Sequence, residues 1–288
     1  MALRPGRRPD PAVAGRSSRI FGSGAGRNVA IALASTIVVF TVLVLAIVNS
    51  PGWPEVKASF FNWDEFKEWF PDVARHFWVN VKLFLICEAV ILVFALGIAV
   101  LRSLSGPVLF PIRMIAIVYT DLFRGVPTIL VVFLLGFGVP ALQLSGVPNG
   151  ELFWGGVALI LVYSAYVAEV YRAGIESVHP SQEAAARSLG LSHPQTLRYV
   201  IVPQAVRRVI PPLLNDFIGL QKDSALISVL GIVEALRQAQ IDSAATFNYT
   251  PFVAVALLFL VITIPLTRLT DWLITRDRRR RQASGAAA

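Results

Sequence analysis

Apolar runs of about twenty residues recur along the chain and constrain its fold more than any other sequence feature. Hydrophobic residues make up 55% of the 288 residues, and the mean hydropathy is +0.64. A helix needs about 20 predominantly apolar residues to cross a bilayer. The runs therefore predict an all-α polytopic membrane protein with six transmembrane helices, near residues 29–48, 79–101, 112–139, 153–171, 209–230 and 252–274.

Lysine and arginine are unevenly distributed between the connections that these spans would leave on the two sides of a membrane. Of the 26 basic residues, eighteen fall on the side that holds residues 1–28 and 276–288, and four fall on the side that holds residues 140–152. Basic residues are retained on the cytoplasmic side. We therefore expect two basic cytoplasmic tails. The net charge of +8 then reflects orientation and anionic membrane lipid rather than nucleic-acid binding.

The first apolar run, at residues 29–48, is expected to be an additional N-terminal transmembrane helix, because no A-x-A cleavage site follows it. Residues 49–76 follow it outside the cytoplasm. Aromatic side chains recur there at roughly helical spacing among charged ones, so we expect an interfacial segment, with substrate binding as the alternative. The aromatic residues are Phe60, Phe61, Trp63, Phe66, Trp69 and Phe70.

Residue types that catalyse reactions or bind nucleotides form no recognisable arrangement in the sequence. None of the four lysines follows a glycine, so the chain has no glycine-rich phosphate loop ending in Gly-Lys. The single cysteine, Cys87, lies in an apolar run, and the three histidines show no metal-ligand spacing. We expect no catalytic residue, metal or cofactor in this chain. If ATP powers it, another polypeptide must bind the ATP and Mg²⁺.

A polar segment at residues 172–208 separates the fourth and fifth apolar runs and carries the signals of two short helices. Glu183 falls in a first helical turn, where the helix dipole favours an anion. Gly190 is expected to stop this helix in the left-handed conformation. A second helix starts at Ser192, with a glutamine three residues later completing a capping box, and Pro203 ends or kinks it. From spacing alone the segment is either a docking element or a simple connector.

The same segment resembles the EAA coupling loop of ABC-importer permeases, whose pattern is E-A-A, three residues, Gly, nine residues and Ile-x-Leu-Pro. Gly190 and Pro203 hold the Gly and Pro positions. The Glu position falls on Ala184, one residue after the only nearby glutamate, so a specific role for that glutamate is in question. By this resemblance the ATPase-coupling residues are Ser181, Gln182, Glu183, Ala184, Ala185, Ala186, Gly190, Leu191, Val200, Val202 and Pro203.

The sequence over roughly residues 77–275 is similar to the polar amino acid subfamily of these permeases, through YTDLFRGVP, YVAEVYRAGIESV and the run from VIVPQ to LQKDSAL. The resemblance implies a five-helix type I importer core in a bacterial plasma membrane, with one N-terminal helix added. It also implies partner ABC ATPase subunits, a second permease subunit, identical or paralogous, and an extracytoplasmic solute-binding protein. The implied substrate is a polar amino acid, most similar to that of glutamate permeases.

Ionisable and helix-breaking residues interrupt the third apolar run. Asp121 and Arg124 are spaced i, i+3 and can pair on one helix face. Gly125 and Pro127 free backbone groups, which are tolerated at membrane depth only inside protein or beside a water-filled cavity. Two interpretations stay open: the pair is structural, or Arg124 and nearby amides meet the carboxylate of the substrate.

The fifth apolar run contains Lys222, Asp223 and Ser224, which are similar to the K-D-[ST]-x-L signature of the subfamily. Charges at membrane depth usually face a cavity or a partner. Lys222 is expected to pair with Asp216 or Glu169, and a role in the substrate path is as compatible with the sequence as a structural one. Glu169 itself precedes an arginine by three residues and is expected to pair with it.

These features predict a permease subunit of an ABC importer for polar amino acids. An ion-gradient-driven secondary amino acid transporter is the alternative, because it would account for the intramembrane charges without a partner; it predicts inverted repeats, and none is visible. The candidate substrate-path residues are Asp121, Arg124, Gly125, Pro127, Glu169, Lys222, Asp223 and Ser224.

Overall fold

The computed structural model describes residues 25–103 and 106–285, with side chains described over 26–103 and 106–276. Most of the predicted tail at residues 1–28 lies outside these ranges. Regular structure within them is entirely helical. The helices are α1 (Ala25–Val48), α2 (Trp53–Phe60), α3 (Trp63–Ser103), α4 (Phe110–Gly125), α5 (Thr128–Gly136), α6 (Gly138–Ala141), α7 (Glu151–Glu176), α8 (Pro180–Ser188), α9 (His193–Thr196), α10 (Val202–Asp223), α11 (Ala235–Thr246) and α12 (Thr250–Gly285).

The chain divides into two compact units, Met1–Ala58 and Ser59–Ala288. In the first unit, α1 contains 24 residues and is therefore about 36 Å long, enough to cross a hydrocarbon core of about 30 Å. Its apolar side chains point outward all round, with Val39 and Phe40 both exposed. A helix that is apolar on every face is typical of a membrane span.

In the second unit, α3 is longer than the sequence analysis expected. It holds 41 residues, about 60 Å, so the predicted span at 79–101 and four of the six aromatic residues before it belong to one helix. Those four are Trp63, Phe66, Trp69 and Phe70, whereas Phe60 ends α2 and Phe61 lies between the two helices. Phe66 and Phe70 pack against buried Val73 and Phe77, together with residues of α11 and α12. The charged residues in this part of α3 had suggested a separate segment, but they lie on exposed faces of a helix that continues past them.

The main core lies where α3 and α7 pack along each other, with α5 and α10 against them. Ile91 of α3 and Leu159 of α7 are fully buried there. α7 approaches α10 closely at Gly174, where a Cβ atom would lie 2.0 Å from Cγ2 of Val209. These contacts hold in place the C-terminal end of α7, from which the polar loop departs.

Two pairs of helical segments are bent at a short break. α4 meets the segment Thr128–Ala141, which holds α5 and α6, at an angle of 104°, and the segment His193–Leu230 meets α11 at 51°. Between α10 and α11 the chain runs through a 3-10 helix, Ser224–Leu230, and turns at Gly231, which has φ +80°. Four helical segments are long and apolar enough to span a membrane, and counting each bent pair as one span gives six. The predicted all-α polytopic fold is confirmed.

Residues 233–250, which connect the fifth and sixth predicted spans, form α11 and its turns. α11 is packed rather than free: Ala235 and Ala239 are completely buried between α3 and α12. Their small side chains let the three helices approach closely. α12 follows and continues from the last predicted span into the basic tail.

Candidate functional site

The first helix of the polar loop, α8, begins with a local cap. Nδ1 of His179 accepts a hydrogen bond from the backbone N–H of Ser181 at 3.2 Å, and Pro180 occupies the first turn. A proline there costs no intrahelical hydrogen bond, since the first N–H groups of a helix have no partner. The start of α8 at residue 180 follows from these local features.

Gly190 ends α8 as predicted. Its φ is +85°, and its N–H donates to the Arg187 carbonyl at 3.0 Å, while the N–H of Leu191 donates to the Ala186 carbonyl at 3.2 Å. These two bonds form a Schellman motif, which satisfies the last carbonyls of the helix and fixes the direction of the chain after it. The left-handed conformation expected at Gly190 is confirmed.

The second helix of the loop, α9, begins with the predicted capping box. The Ser192 N–H donates to the Gln195 side-chain oxygen at 2.8 Å, and the reciprocal contact is also present. Across the glycine turn, Nδ1 of His193 lies 3.3 Å from Oε1 of Glu183. α8 and α9 are thus joined by a backbone motif and by a side-chain contact.

The second helix does not end at Pro203. α9 runs into one π turn, Leu197–Ile201, in which the Val202 N–H donates to the Leu197 carbonyl, and the chain continues as α10. Pro203 lies in the first turn of α10, where it removes no needed donor. Of the two outcomes predicted for Pro203, an end of the helix is not seen: the chain stays helical past the proline, and the irregularity lies just before it, in the π turn.

The loop is fixed to the ends of the membrane helices through a small apolar cluster. Val178, Ile201 and Ala205 are buried together, with Val200 packed against them. Nη1 of Arg208 donates a hydrogen bond to the Ser177 carbonyl. The loop is therefore packed against the ends of α7 and α10.

The predicted coupling residues divide between an exposed and a buried side of the loop. Ala186 is buried, and Leu191 and Val200 are half-buried, whereas Leu189 beside the turn is 82% exposed. Glu183 is half-exposed. The members that face outward are Ser181, Gln182, Ala184, Ala185, Gly190, Val202 and Pro203.

Glu169 lies at the centre of a cluster of arginines near the C-terminal end of α7. Its Oε2 is 2.7 Å from Nη1 of Arg102 and 3.8 Å from Nη1 of Arg124, and its Oε1 contacts Arg172. Arg102 also donates to the Thr120 hydroxyl at 2.9 Å. The predicted pairing of Glu169 with the arginine three residues later is confirmed, and the cluster joins α3, α4 and α7.

Arg124 has a different partner from the one the spacing suggested. It lies near Glu169 rather than Asp121, and among the ion pairs between described side chains Asp121 has none. Its guanidinium is 5.9 Å from the ring of Tyr166 and 40% of the side chain is exposed. Arg124 pairs with an acid on a neighbouring helix rather than with the acid three residues before it, because α7 packs directly against α4.

The break between α4 and α5 falls at the predicted Gly125-Val-Pro127 segment. Val126 is extended, with φ −99° and ψ 135°, and its N–H still donates to the Leu122 carbonyl at 3.1 Å. Helical bonds resume when the Leu130 N–H donates to the Pro127 carbonyl. The exposed side chain of Arg124 thus lies next to interrupted backbone.

The Lys222–Ser224 signature marks the end of α10. Oδ2 of Asp223 accepts a hydrogen bond from the Tyr163 hydroxyl at 2.9 Å, which links α10 to α7. Ser224 is buried, and its hydroxyl donates to the Gln221 carbonyl. Lys222 is exposed, and within residues 26–103 and 106–276 it pairs with neither of the two acids proposed for it.

Sequence reasoning missed a buried polar contact between α3 and α11. Glu234 is fully buried and caps α11 by accepting from the N–H groups of Leu236 and Arg237 at 3.0 and 2.8 Å. Nδ2 of Asn80 donates to Oε2 of the same glutamate at 2.7 Å. The available signal was an asparagine within an apolar run, since polar groups at such positions require partners.

The chain matches the family described as "Binding-protein-dependent transport system inner membrane component" over residues 103–279. It is 37% identical over 186 residues to the probable glutamine ABC transporter permease protein GlnM of Bacillus subtilis (strain 168), covering 64% of this chain and 83% of the relative. It is 36% identical over 158 residues to the arginine transport system permease protein ArtQ of the same organism, covering 54% and 71% of the two chains.

Solved structures agree with this assignment. The fold is similar to that in a crystal structure of an amino acid ABC transporter with histidines, with a TM-score of 0.67 and 32% identity over 75% of this chain and 98% of the other. The MetNI methionine ABC transporter, at 16% identity and a TM-score of 0.56, shares the fold over 71% of this chain and 95% of its own. This chain therefore belongs to the family of binding-protein-dependent transport system inner membrane components, as a multi-pass polar amino acid ABC transporter permease.

Proposed function

We propose that this chain forms the translocation path of an ATP-driven importer and that its loop between α7 and α10 couples the path to a separate ATPase. The observation that carries the proposal is the joint at Gly190. The Schellman motif, the capping box and the contact between Glu183 and His193 hold α8 and α9 at a defined angle. A connector that only joined two spans would need none of them.

The attachment of the loop to the membrane helices supports a role in transmitting motion. Ile201 and Ala205 bury the loop against Val178 at the end of α7, and the π turn joins α9 to α10 without a flexible gap. A force on the exposed residues of α8 would be passed to both helices. A flexible connection would instead change its own conformation and leave α7 and α10 where they were.

The proposed complex contains this permease, a second identical or paralogous permease, ABC ATPase subunits and an extracytoplasmic solute-binding protein. ATP and Mg²⁺ are bound by the ATPase subunits and not by this chain. Membership in a binding-protein-dependent family supports this arrangement over an ion-gradient-driven secondary transporter.

We place Arg124 on the substrate path. It is exposed beside the break between α4 and α5, and a guanidinium matches a carboxylate in geometry and charge. Glu169 lies 3.8 Å away and can hold the guanidinium in place. Since every amino acid carries an α-carboxylate, Arg124 would bind the common part of the substrate. An acidic, glutamate-like side chain is the finer proposal, and it rests on the sequence resemblance.

Reconstitution of the permease with its candidate ATPase and binding protein in vesicles tests the proposal. We expect ATP-dependent uptake of a labelled polar amino acid, with glutamate preferred over glutamine and arginine. Uptake of glutamine or arginine in its place would reject the finer proposal alone. Uptake that requires an ion gradient and proceeds without ATP would reject the importer.

A further inference from the structure

A groove of about 540 Å³ lies between α3 and α7 on the outside of the main core. Its walls are apolar and include Ile86, Val90, Gly156 and Ile160. Ile86 is 63% exposed, so the groove opens to the surroundings of the helix bundle. It lies apart from the polar loop and from the arginine cluster around Glu169.

Lys82 is the only charged residue among those that line the groove. Its Nζ lies 5.9 Å from the ring centroid of Trp78, one helical turn earlier on α3. Among the described side chains, no carboxylate forms an ion pair with Lys82. Tryptophan is enriched at membrane interfaces, and lysine extends its charged end towards the headgroups. The groove therefore has one cationic end at headgroup level and an apolar remainder.

The length of the groove corresponds to one leaflet. From Val79 to Val90 the α3 wall rises about 16 Å, which is close to half of a hydrocarbon core about 30 Å thick. The α7 wall begins at Leu152 and Phe153, next to the connection that we expect outside the cell. A transmembrane helix of a second copy would need a groove that runs through both leaflets. One acyl chain needs a groove only about 16 Å long, which is the length of this one.

We propose that the groove binds an anionic phospholipid of the outer leaflet, with an acyl chain between α3 and α7 and the phosphate at Lys82. In a membrane the apolar walls alone give little selectivity, because lipid tails are as apolar as the side chains they replace. Selectivity for an anionic headgroup comes from the unpaired lysine. A basic residue near anionic lipid contributes about a fivefold preference.

The test is native mass spectrometry of the full-length permease, released from detergent with phosphatidylglycerol and phosphatidylcholine of identical acyl chains. The wild type should retain phosphatidylglycerol in preference. Lys82→Gln should lower that preference about fivefold, and Lys82→Arg should keep it. Lys67→Gln is the control: Lys67 is also on α3 and over a tryptophan, 5.4 Å from the Trp63 ring, but it pairs with Asp64 at 3.3 Å and does not line the groove.

A second variant pair tests the apolar part. Ile86→Trp should fill the groove and reduce retention of both lipids, while Val93→Trp, at a position 75% exposed on α3 and not in the groove, should leave retention unchanged. Unchanged lipid preference in Lys82→Gln would overturn the proposal. So would conversion of a dimer to a monomer in Ile86→Trp without loss of lipid, since the groove would then be covered by a second copy.

Discussion

The side-chain amide of Asn80 donates a hydrogen bond of 2.7 Å to the carboxylate of Glu234, joining α3 to the first turn of α11. The oxygen of the same amide accepts from the Ala235 N–H at 3.2 Å. Asn80 thereby provides a partner both for the Glu234 carboxylate that caps α11 and for the Ala235 N–H, the first backbone donor of that helix. The contact makes α11 part of the helix bundle rather than a loop over it.

Asn80→Ala should therefore destabilise the permease. It removes these two hydrogen bonds and a third, in which Nδ2 of Asn80 donates to the Ser224 hydroxyl at 3.4 Å. Polar groups of α11 are then buried without partners, a cost of about 1–3 kcal/mol. The midpoint of thermal unfolding in detergent, followed by circular dichroism, would fall. Asn215→Ala, at an exposed position on α10, is the control and should change it little. Equal midpoints for the two variants would show that the contact contributes no stability.

Gly190→Val should insert normally but lose coupling to the ATPase. A Cβ at Gly190 would meet no atom within 4 Å, so the effect comes from the backbone. A β-branched residue at φ +85° costs on the order of 1–2 kcal/mol or more, which the loop would relieve by changing the angle between α8 and α9. Co-purification of the ATPase and substrate-stimulated hydrolysis in vesicles measure the loss.

Two variants control for this result. Gly190→Asn should retain most coupling, because asparagine tolerates the left-handed conformation. Glu183→Ala should be milder than Gly190→Val, since it removes only an exposed contact to His193. If Gly190→Val docks the ATPase and transports at the wild-type rate, the loop is only a connector.

Arg124→Ala should reduce uptake while leaving expression and ATPase assembly intact. Its side chain is 40% exposed, and Glu169 keeps two closer arginines. Arg102→Ala is the contrasting variant: Arg102 is 12% exposed and 2.7 Å from Glu169, so its loss should lower the yield of folded protein. Uptake and size-exclusion profiles separate the two effects. Normal uptake by Arg124→Ala would remove it from the substrate path.

Both chain termini should face the cytoplasm. In a Cys87→Ala background, Ser145→Cys should react with an impermeant thiol reagent in intact cells, because the connection at residues 140–152 carries no lysine or arginine. Gly285→Cys should react only after the cells are permeabilised. Labelling of Gly285→Cys from outside would invert the proposed topology.

The loop was the part of the structure most completely predictable from sequence. Its caps and its glycine turn depend on residues within five positions of one another, so the local sequence contains the information. The partner of Arg124 could not be predicted in this way. Glu169 is distant in the sequence and reaches Arg124 only because α4 packs on α7.

The bend angles and α11 also could not be predicted from the sequence. Gly125 and Pro127 predicted a weakness in the third run, but the 104° angle depends on how α5 packs against α7. α11 was not among the predicted helices, because its composition is too polar for a membrane span. Its helical structure is stabilised by Glu234 and by burial of Ala235 and Ala239, which become visible only when α3 and α12 are placed around them.

The π turn at Leu197–Ile201 acts as a phase shift along the chain. A single π turn within an α-helix is equivalent to one inserted residue, and one residue corresponds to about 100° of rotation. The π turn therefore rotates the faces of α10 by about 100° relative to those of α9, compared with an uninterrupted α-helix. A helical wheel drawn through Leu197–Ile201 as a regular α-helix would misplace every side chain of α10 by about 100°.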